Sequence, residues 1–412
     1  MKILFITQYF HPEVGAASAR ITDLAKELAS LGHCVTVVAE FPNYPTGKLA
    51  KEYRWRLHRW EKLGPLHILR TFVIVSKRRN FFQRMALYIS FMCSSILGGL
   101  FVPRFDVVIA TSPPLFVGLC GYVVGRLRGA KFVFDVRDLW PESAVVLGEL
   151  KNRWARRLAE RLERMLYRKA DRITVVVPGF RSKIEARSGQ KNKIEEITNG
   201  VDAEVFVPDV RADLHRKRWN LEDKFVVLFS GNHGLAQGLF SVMEAAESLR
   251  DYRDIVFLFV GEGVEKEALL RRKWERSLDR TIFLEAQPHS RMPSIISMSD
   301  VCLVPLKKND LFRNALPSKM FEYMVCGRPI ILSIRGEAEI LIREAKAGIP
   351  VEPENAGEIA GAVLKLYTEK SLRRTLGGNG REYVVQKFSR KQIAQKLEGL
   401  LTGLCGRRES DL

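Results

Sequence analysis

Two successive series of short apolar strands, each interleaved with helix-like segments, constrain this chain more than any other feature. The strand-like runs are rich in β-branched residues, which favours parallel sheets covered by helices on both faces. We predict the first series over residues 2–7, 35–39, 106–110, 131–136 and 172–177, and the second over 224–230, 255–260, 281–285, 301–305, 329–334 and 349–351.

A chain of 412 residues is too long for one ordinary core. The two series therefore predict two doubly wound α/β domains, over residues 1–200 and 201–385. We expect the last helix, within residues 386–412, to pack back on the first domain. Ligands of such sheets bind beyond the carboxyl ends of the strands, so the site is expected in a cleft between the domains.

The net charge of +19 is concentrated in the first half of the chain. Residues 1–200 hold 33 Lys and Arg against 17 Asp and Glu, whereas residues 201–412 hold 33 against 30. This asymmetry predicts an anionic partner, phospholipid headgroups or nucleic acid, unless the basic side chains form an ordinary solvated face. Because no aromatic-interleaved basic motif or helix-turn-helix signal occurs, we expect a membrane surface and no nucleic acid.

The chain uses cysteine as cytosolic proteins do. Its six cysteines are scattered without a C-x-x-C pair, which predicts reduced thiols and neither disulfides nor a zinc site. The apolar run that follows Lys2 ends at His11, Pro12 and Glu13 without a cleavage signal, so it indicates a core strand and not a signal peptide.

Two helical segments of the first half have more than one interpretation. Residues 85–102 lack charge over 18 positions and have basic flanks, so they fit a buried or partly exposed helix, a helix in the membrane interface, or a membrane span. Residues 153–169 form a basic helix with an apolar stripe. That helix packs on the sheet as an ordinary surface helix, or additionally attracts anionic headgroups.

Two motifs of the first half follow strands. After the first strand, Gly15 and Ala16 open a helix, where small residues let an anion approach the backbone, although the G-x-G-x-x-G spacing is absent. After residues 131–136, Arg137 and Asp138 place ionisable groups at a strand end. Alternatively, Asp138 caps the next helix and Trp140 packs against it.

Two motifs of the second half suit a diphosphate. Three glycines in residues 230–238 free backbone N–H groups for phosphate oxygens, unless this is a plain strand–helix turn. With Pro317 in the first helical turn, Ser318 and Lys319 lie at a helix N-terminus, and Glu322 is placed to accept hydrogen bonds from ribose. The alternative is a capping box between Ser318 and Glu322.

Six short stretches stand out together, namely QYFHPE, FPNYPTG, DLWPES, ITNGVD, GLAQG and LPSKMFEYM. With them, essentially the whole chain resembles the retaining GT-B glycosyltransferases of family 4. The stretches are most similar to the subgroup that builds O-antigen, capsule and colanic acid, including L-fucosamine transferase-like enzymes. The resemblance implies a GT-B fold, with two Rossmann-like domains facing a cleft. It also implies roles for donor-binding residues, namely Gly15, Ala16, Gly231, Asn232, Gln237, Gly238, Gly261, Asn314, Ser318, Lys319 and Glu322.

The same resemblance places Asp138 and Arg137 beside the donor sugar and the acceptor hydroxyl, and Lys319 on the diphosphate as a catalytic cation. Four positions depart from the family pattern. Asn314 replaces the first glutamate of E-x7-E, and it cannot act as a carboxylate. Asn232 and Gln237 replace the arginine and lysine of the glycine loop, and Arg137 replaces a histidine. Lys319, Arg313 and Arg20 are the candidates to supply the missing positive charge.

The resemblance implies sugar transfer with retention from a UDP- or GDP-sugar, without a further cofactor or a metal, since no D-x-D-like cluster is present. The acceptor implied is a polyprenyl-diphosphate-linked saccharide at the inner face of the cytoplasmic membrane, in surface polysaccharide biosynthesis. A nucleotide-sugar epimerase of the same fold is the alternative function.

Overall fold

The computed structural model describes residues 1–13, 15–43, 47–75, 81–146, 150, 152–208 and 212–406. Outside these residues lie Val14, residues 44–46 of FPNYPTG, and Lys77, Arg78 and Arg79 of the basic flank before residues 85–102. The chain divides into two compact units, one of residues 1–199 with 390–412 and the other of residues 200–389.

The first unit contains an eight-stranded sheet in the order β3-β4-β2-β1-β5-β6-β7-β8. Neighbouring strands are parallel except for β3 and β4, which are antiparallel. The strands are β1 (Lys2–Ile6), β2 (Cys34–Glu40), β3 (His58–Leu63), β4 (Leu66–Thr71), β5 (Val107–Ser112), β6 (Lys131–Val136), β7 (Arg172–Val175) and β8 (Ile194–Glu196).

The sequence interpretation missed the β3–β4 hairpin and β8. Strand β3, with sequence HRWEKL, alternates half-buried and exposed positions and carries charge, as an edge strand does. It therefore lacks the apolar run by which the central strands were predicted. The prediction of an α/β fold with parallel sheets is confirmed.

In the part of the first unit that the structure describes, six α-helices precede the second unit in the chain, namely α1 (Ala16–Ser30), α2 (Phe81–Phe101), α3 (Leu115–Arg128), α4 (Glu142–Val146), α5 (Arg153–Lys169) and α6 (Gly179–Ser188). Helix α2 contains the uncharged segment of residues 85–102. Its stretch Gln83–Phe101 is long and apolar enough to cross a membrane by length and composition, and 17% of it is buried. Helix α2 packs on α3, which packs in turn on α5.

The second unit contains a six-stranded parallel sheet in the order β11-β10-β9-β12-β13-β14. Its strands are β9 (Phe225–Ser230), β10 (Ile255–Val260), β11 (Thr281–Leu284), β12 (Val301–Pro305), β13 (Ile330–Ser333) and β14 (Gly348–Pro350). Strands β9, β10, β12 and β13 are buried at every position, because apolar cores lie on both faces of the sheet.

The described residues of the second unit form eight α-helices around this sheet, namely α7 (Ala212–Arg218), α8 (Leu239–Ser248), α9 (Lys266–Glu275), α10 (Met292–Ser297), α11 (Ser318–Val325), α12 (Glu337–Ala345), α13 (Ala356–Thr368) and α14 (Lys370–Lys387). Helix α11 begins at Ser318, so Pro317 is the residue before the helix and not part of its first turn.

The last helix, α15 (Arg390–Cys405), belongs to the first unit, where it packs on α1. It adds five buried side chains to a core that also contains residues of α1 and β1. These side chains are Ile393, Ala394, Leu397, Leu401 and Leu404. The first unit is thus built from two separate parts of the chain.

Candidate functional site

The carboxyl ends of β9 and β10 approach each other so closely that only glycine fits. Gly261, at φ +147, would place a Cβ atom 1.9 Å from the Gly231 carbonyl oxygen. Gly231 N–H in turn donates to the Val260 carbonyl at 2.9 Å. Gly238, at φ +61, turns the chain from a short 3₁₀ segment into α8. The glycines therefore shape a tight backbone edge at the strand ends.

Lys319 is the side chain that joins the glycine loop to α11. Its Nζ donates to Gln237 Oε1 at 2.9 Å and lies 4.1 Å from the centre of the Phe229 ring. A Cβ atom on Gly231 would lie 3.0 Å from the same Nζ. Three of the sequence-predicted residues, Gly231, Gln237 and Lys319, are therefore brought together. Gln237, which stands where the family has lysine, holds the Lys319 ammonium in place.

Burial lowers the pKa of Lys319 to about 7, although the nearby charge of Glu322 acts to raise it. An ammonium in such surroundings binds an anion strongly, because an anionic ligand replaces the hydration that burial removes. The arrangement is a cation at a helix N-terminus, beside a glycine-rich loop.

The first residues of α11 present Ser318 to solvent and hold Glu322 partly buried. No side-chain cap is made at Pro317, and the capping-box alternative is not observed. Glu322 Oε1 lies 3.5 Å from His289 Nε2. Tyr323 links α11 to β9, because its hydroxyl accepts a hydrogen bond from Ser230 N–H at 2.9 Å. This residue was not predicted from the sequence, although it lies in LPSKMFEYM.

His233 is a second residue that sequence reasoning missed. Its ring is fully buried beside Phe229, Phe259 and Phe283, and both of its ring nitrogens lack a hydrogen-bond partner. Burial lowers the pKa of His233 to about 4, so the ring is neutral at pH 7. The histidine in SGNHG was its only signal. It gives the loop apolar support and adds no charge to the site.

Two other predicted residues take no part in the hydrogen bond between Lys319 and Gln237. Asn232 is exposed, and its side chain lies against Gly234 and Gly263. Asn314 is half-buried at the end of a 3₁₀ turn over Asp310–Asn314. Arg313, a candidate cation, is exposed, with Nη1 3.7 Å from Asp310 Oδ1.

Arg20, a candidate cation for the diphosphate, is held within the fold of the first unit. Its Nη2 donates to Asp135 Oδ1 at 3.1 Å and to the Ile197 carbonyl at 2.7 Å. Its Nη1 donates to the Thr198 carbonyl at 2.6 Å. Both charged side chains are about 95% buried, so their pairing replaces lost hydration.

Arg137 and Asp138 follow β6 directly. Arg137 Nη2 donates to the Pro113 carbonyl at 3.1 Å, and its Nε has no partner. Burial lowers the pKa of Arg137 to about 10, and the charges of Asp135 and Asp138 partly oppose this. Asp138 is partly exposed and remains a candidate for contact with an acceptor.

The first-unit motifs HPE and FPN are held together by buried carboxylates. Glu13 accepts from Asn43 N–H at 2.9 Å, and Asn43 Nδ2 donates to Glu40 Oε1 at 2.7 Å. Burial raises the pKa of Glu40 well above its usual range, and the charge of Glu13 adds to this. Residues of both motifs, including Glu13 and Asn43, line a cavity of about 340 Å³. Glu40, at the end of β2, was not singled out from the sequence.

Gly15 and Ala16 stand at the start of α1. Gly15 is exposed with an extended backbone, and a Cβ atom there would meet nothing within 4 Å. Within the described part of the chain, no three or more His, Cys, Asp or Glu residues are grouped to hold a metal ion.

Gly261 and Gly15 give a matched pair of substitutions. We expect Gly261→Ala to lower the stability of the second unit by about 1–3 kcal/mol or more, because the new Cβ meets the Gly231 carbonyl at a strained φ. Gly15→Ala adds a methyl group to open space, so the melting temperature should not change. Thermal unfolding of both variants checks this, and equal melting temperatures would contradict it.

Comparison with known proteins gives glycosyltransferase matches for both units. A glycosyl transferase 4-like domain model matches residues 15–200, and a model of glycosyl transferases group 1 matches residues 211–383. WcaI of Escherichia coli K12, named for colanic acid biosynthesis glycosyl transfer, is 27% identical over 375 residues, which cover 88% of this chain and 91% of WcaI.

A GDP-mannose-dependent phosphatidylinositol monomannoside mannosyltransferase of Mycolicibacterium smegmatis is 26% identical over 58% of this chain and 64% of its own length. Among solved structures, Anabaena Alr3699/HepE in complex with UDP aligns with a TM-score of 0.74 and 16% identity, over 98% of this chain and 100% of that chain.

Proposed function

This chain belongs to the GT-B glycosyltransferases of family 4, and from that premise we propose that it transfers a sugar with retention from a nucleoside diphosphate sugar to a lipid-linked saccharide. The similarity to WcaI supports a role in surface polysaccharide biosynthesis. The UDP complex of HepE and the GDP-mannose dependence of the mycobacterial enzyme support a UDP- or GDP-sugar donor.

The observation that carries the proposal is the position of the Lys319 ammonium between the Gly231 loop and the N-terminus of α11. Glycosyl transfer from such a donor releases a nucleoside diphosphate, on which negative charge develops as the bond to the sugar breaks. A fixed cation and free helical N–H groups stabilise that charge. In this proposal Ser318 and Lys319 hold the diphosphate, and Glu322 holds the ribose.

In the proposed reaction the bond between the sugar C1 and the diphosphate oxygen breaks, and the diphosphate leaves with the electron pair. The acceptor hydroxyl oxygen bonds to C1 on the face that the diphosphate left. Its proton passes to a diphosphate oxygen, so the phosphate acts as the base. Asp138 and Arg137 are proposed to orient the acceptor, and Asn314 is proposed to donate a hydrogen bond to the donor sugar.

The acceptor is proposed to be a polyprenyl-diphosphate-linked saccharide, met by the first unit at the inner face of the cytoplasmic membrane. The excess of 33 Lys and Arg over 17 Asp and Glu in residues 1–200 supports this location, because anionic lipids attract basic surfaces. The cavity lined by Glu13 and Asn43 is proposed to admit saccharide hydroxyls, since carboxylate and amide groups form hydrogen bonds with them.

Thermal unfolding with UDP, GDP and their sugar conjugates tests the donor. A matching nucleoside diphosphate present at 100 times its Kd is expected to stabilise the protein by about 2.7 kcal/mol, because it binds only the native state. The monophosphate is the control and should stabilise far less. If no nucleoside diphosphate or its sugar conjugate changes the melting temperature, the proposed donor class is wrong.

Incubation with the stabilising nucleotide sugar alone separates transfer from epimerisation. Both family models that match the chain are glycosyltransferase models, which favours transfer. The sugar is therefore expected to remain unchanged until an acceptor is added. Conversion of the sugar to an epimer without an acceptor would support the alternative enzyme.

A further inference from the structure

The first unit exposes apolar side chains on three segments that hydrogen bonds hold side by side. Leu57 O accepts from Phe72 N–H at 3.0 Å, Phe72 O accepts from Ser94 Oγ at 2.6 Å, and Ser90 Oγ accepts from Ile74 N–H at 2.9 Å. We call the exposed set the apolar surface; it consists of Trp55, Leu57, Phe72, Ile74, Ile89, Leu97 and Phe101.

The outward-facing side of α2 is apolar, as the side of a helix that packs on a core normally is. The most exposed positions along α2 recur every four residues, at Ile89, Cys93, Leu97 and Phe101. A helix that covers a water-soluble domain normally places polar residues there. Phe101 is 83% exposed, and Trp55, on the neighbouring segment, is fully exposed. Contiguous exposure of this kind marks an interaction site.

The opposite stripe of α2 is fixed to the unit. A Cβ atom on Gly98 would lie 2.9 Å from Thr71, and one on Gly99 would lie 2.9 Å from Val124. Ser95 Oγ lies 3.2 Å from Cys120 Sγ. Helix α2 is therefore attached along its length to β4 and α3, and that packing disfavours a separate membrane span. With 17% of Gln83–Phe101 buried, α2 is not a core helix either.

Charge identifies the partner of this surface. From Lys62 to Phe105 the sequence contains seven Lys and Arg and no Asp or Glu. Exposed Arg54 and Arg56 flank Trp55. The acidic residues on either side of Trp55 and Leu57 are paired with arginines, Glu52 with Arg59 and Glu61 with Arg70. Apolar side chains, a tryptophan and an excess of basic residues match the interface of an anionic bilayer, where apolar groups enter the acyl boundary and tryptophan lies at the headgroups.

We propose that the apolar surface inserts into the interface of an anionic bilayer and holds the first unit there as a monotopic membrane protein. This inference rests on the proposed function, because it gives the first unit direct access to a lipid-linked acceptor. It also divides membrane binding into two parts. The basic residues, including those of α5, supply an attraction that salt screens, and the apolar surface supplies a part that salt does not remove.

Cosedimentation with vesicles of phosphatidylcholine and phosphatidylglycerol tests the proposal. The unmodified protein is expected to remain bound at about 1 M NaCl, where the Debye length is about 3 Å. A Trp55→Ser/Leu97→Ser variant is expected to bind about ten-fold more weakly at low salt and to be released at high salt. Its melting temperature should not change, because both side chains are exposed.

Trp274→Ser/Leu214→Ser is the matched control, since these residues are similarly exposed in the second unit. It should bind vesicles as the unmodified protein does. Release of the unmodified protein by salt, or equal loss of binding in both variants, would overturn the proposal. So would a sedimentation-velocity result in which the Trp55/Leu97 variant converts a dimer to a monomer without a change in lipid binding.

Membrane binding and the proposed reaction can be tested independently of each other. The Trp55/Leu97 variant should keep the thermal response of the unmodified protein to its nucleoside diphosphate, because both substitutions lie in the first unit. Vesicle binding without any nucleotide response would contradict the proposed function and leave the membrane surface supported.

Discussion

Lys319→Gln is expected to lower kcat/KM for glycosyl transfer by about 100- to 1,000-fold, the usual effect of removing one group that stabilises a leaving oxyanion. Glutamine keeps much of the side-chain length but has no charge. Lys319 Nζ occupies the junction of the glycine loop and α11, where it donates to Gln237. Initial rates with a saturating acceptor measure the loss.

The pH dependence distinguishes charge from packing at Lys319. With the pKa of Lys319 lowered to about 7, the free enzyme loses the cation as pH rises through 7, so kcat/KM should fall there. A bound diphosphate favours the charged amine, so kcat should fall only at higher pH. Of the groups near this amine, His233 is neutral at pH 7 and Glu322 acts to raise the pKa of Lys319.

Lys319→Arg is the companion variant, because arginine stays charged throughout this range. Its kcat/KM should lack the decline near pH 7, whatever its absolute rate. If Lys319→Gln retains full activity, or if the decline near pH 7 persists in Lys319→Arg, the assignment of Lys319 to the diphosphate is wrong.

Arg20→Ala is expected to lower the stability of the first unit by about 3–5 kcal/mol, the usual effect of removing one partner of a buried ion pair. The substitution leaves Asp135 buried with Thr174 as its remaining hydrogen-bond donor, and the Ile197 and Thr198 carbonyls lose their guanidinium donor. Urea unfolding followed by signals from the first unit measures the change.

Arg156→Ala is the control for Arg20→Ala, because Arg156 and Glu160 form an exposed pair worth about 0–1 kcal/mol. An Arg20→Met/Asp135→Leu variant should recover part of the loss, since apolar replacement of both partners removes the unpaired charge. A stable Arg20→Ala protein with a raised KM for the donor would instead indicate that Arg20 binds the diphosphate.

The sequence predicted the buried strands well because burial on both faces requires continuous apolar runs, as in β9 and β10. The sequence did not predict β3, because this strand has charged residues at alternating positions and no apolar run. Its place at the edge of the sheet cannot be read from its local sequence. Helix α2 was recognised as a helix, but its orientation depended on Gly98 and Gly99, whose packing partners lie in β4 and α3.

In the candidate site, too, the local sequence predicted some features and tertiary contacts determined others. Motifs and family resemblance identified Lys319 and the Gly231 loop as separate stretches. The contact between Lys319 and Gln237 joins residues 82 positions apart, and the pair of Arg20 with Asp135 joins residues 115 positions apart. Such distances follow from tertiary packing, so the sequence could not separate the cation available to a ligand from the one that the fold already uses.

The return of α15 to the first unit affects how the protein is made. Its five core side chains are synthesised only after the whole of Gly200–Ser389. At about 5–20 residues per second, a ribosome needs on the order of 10–40 s for that stretch. During this time the α15-binding face of the nascent first unit has no cover, which is a state that chaperones recognise. The unit whose synthesis begins first is therefore also the one whose synthesis ends last.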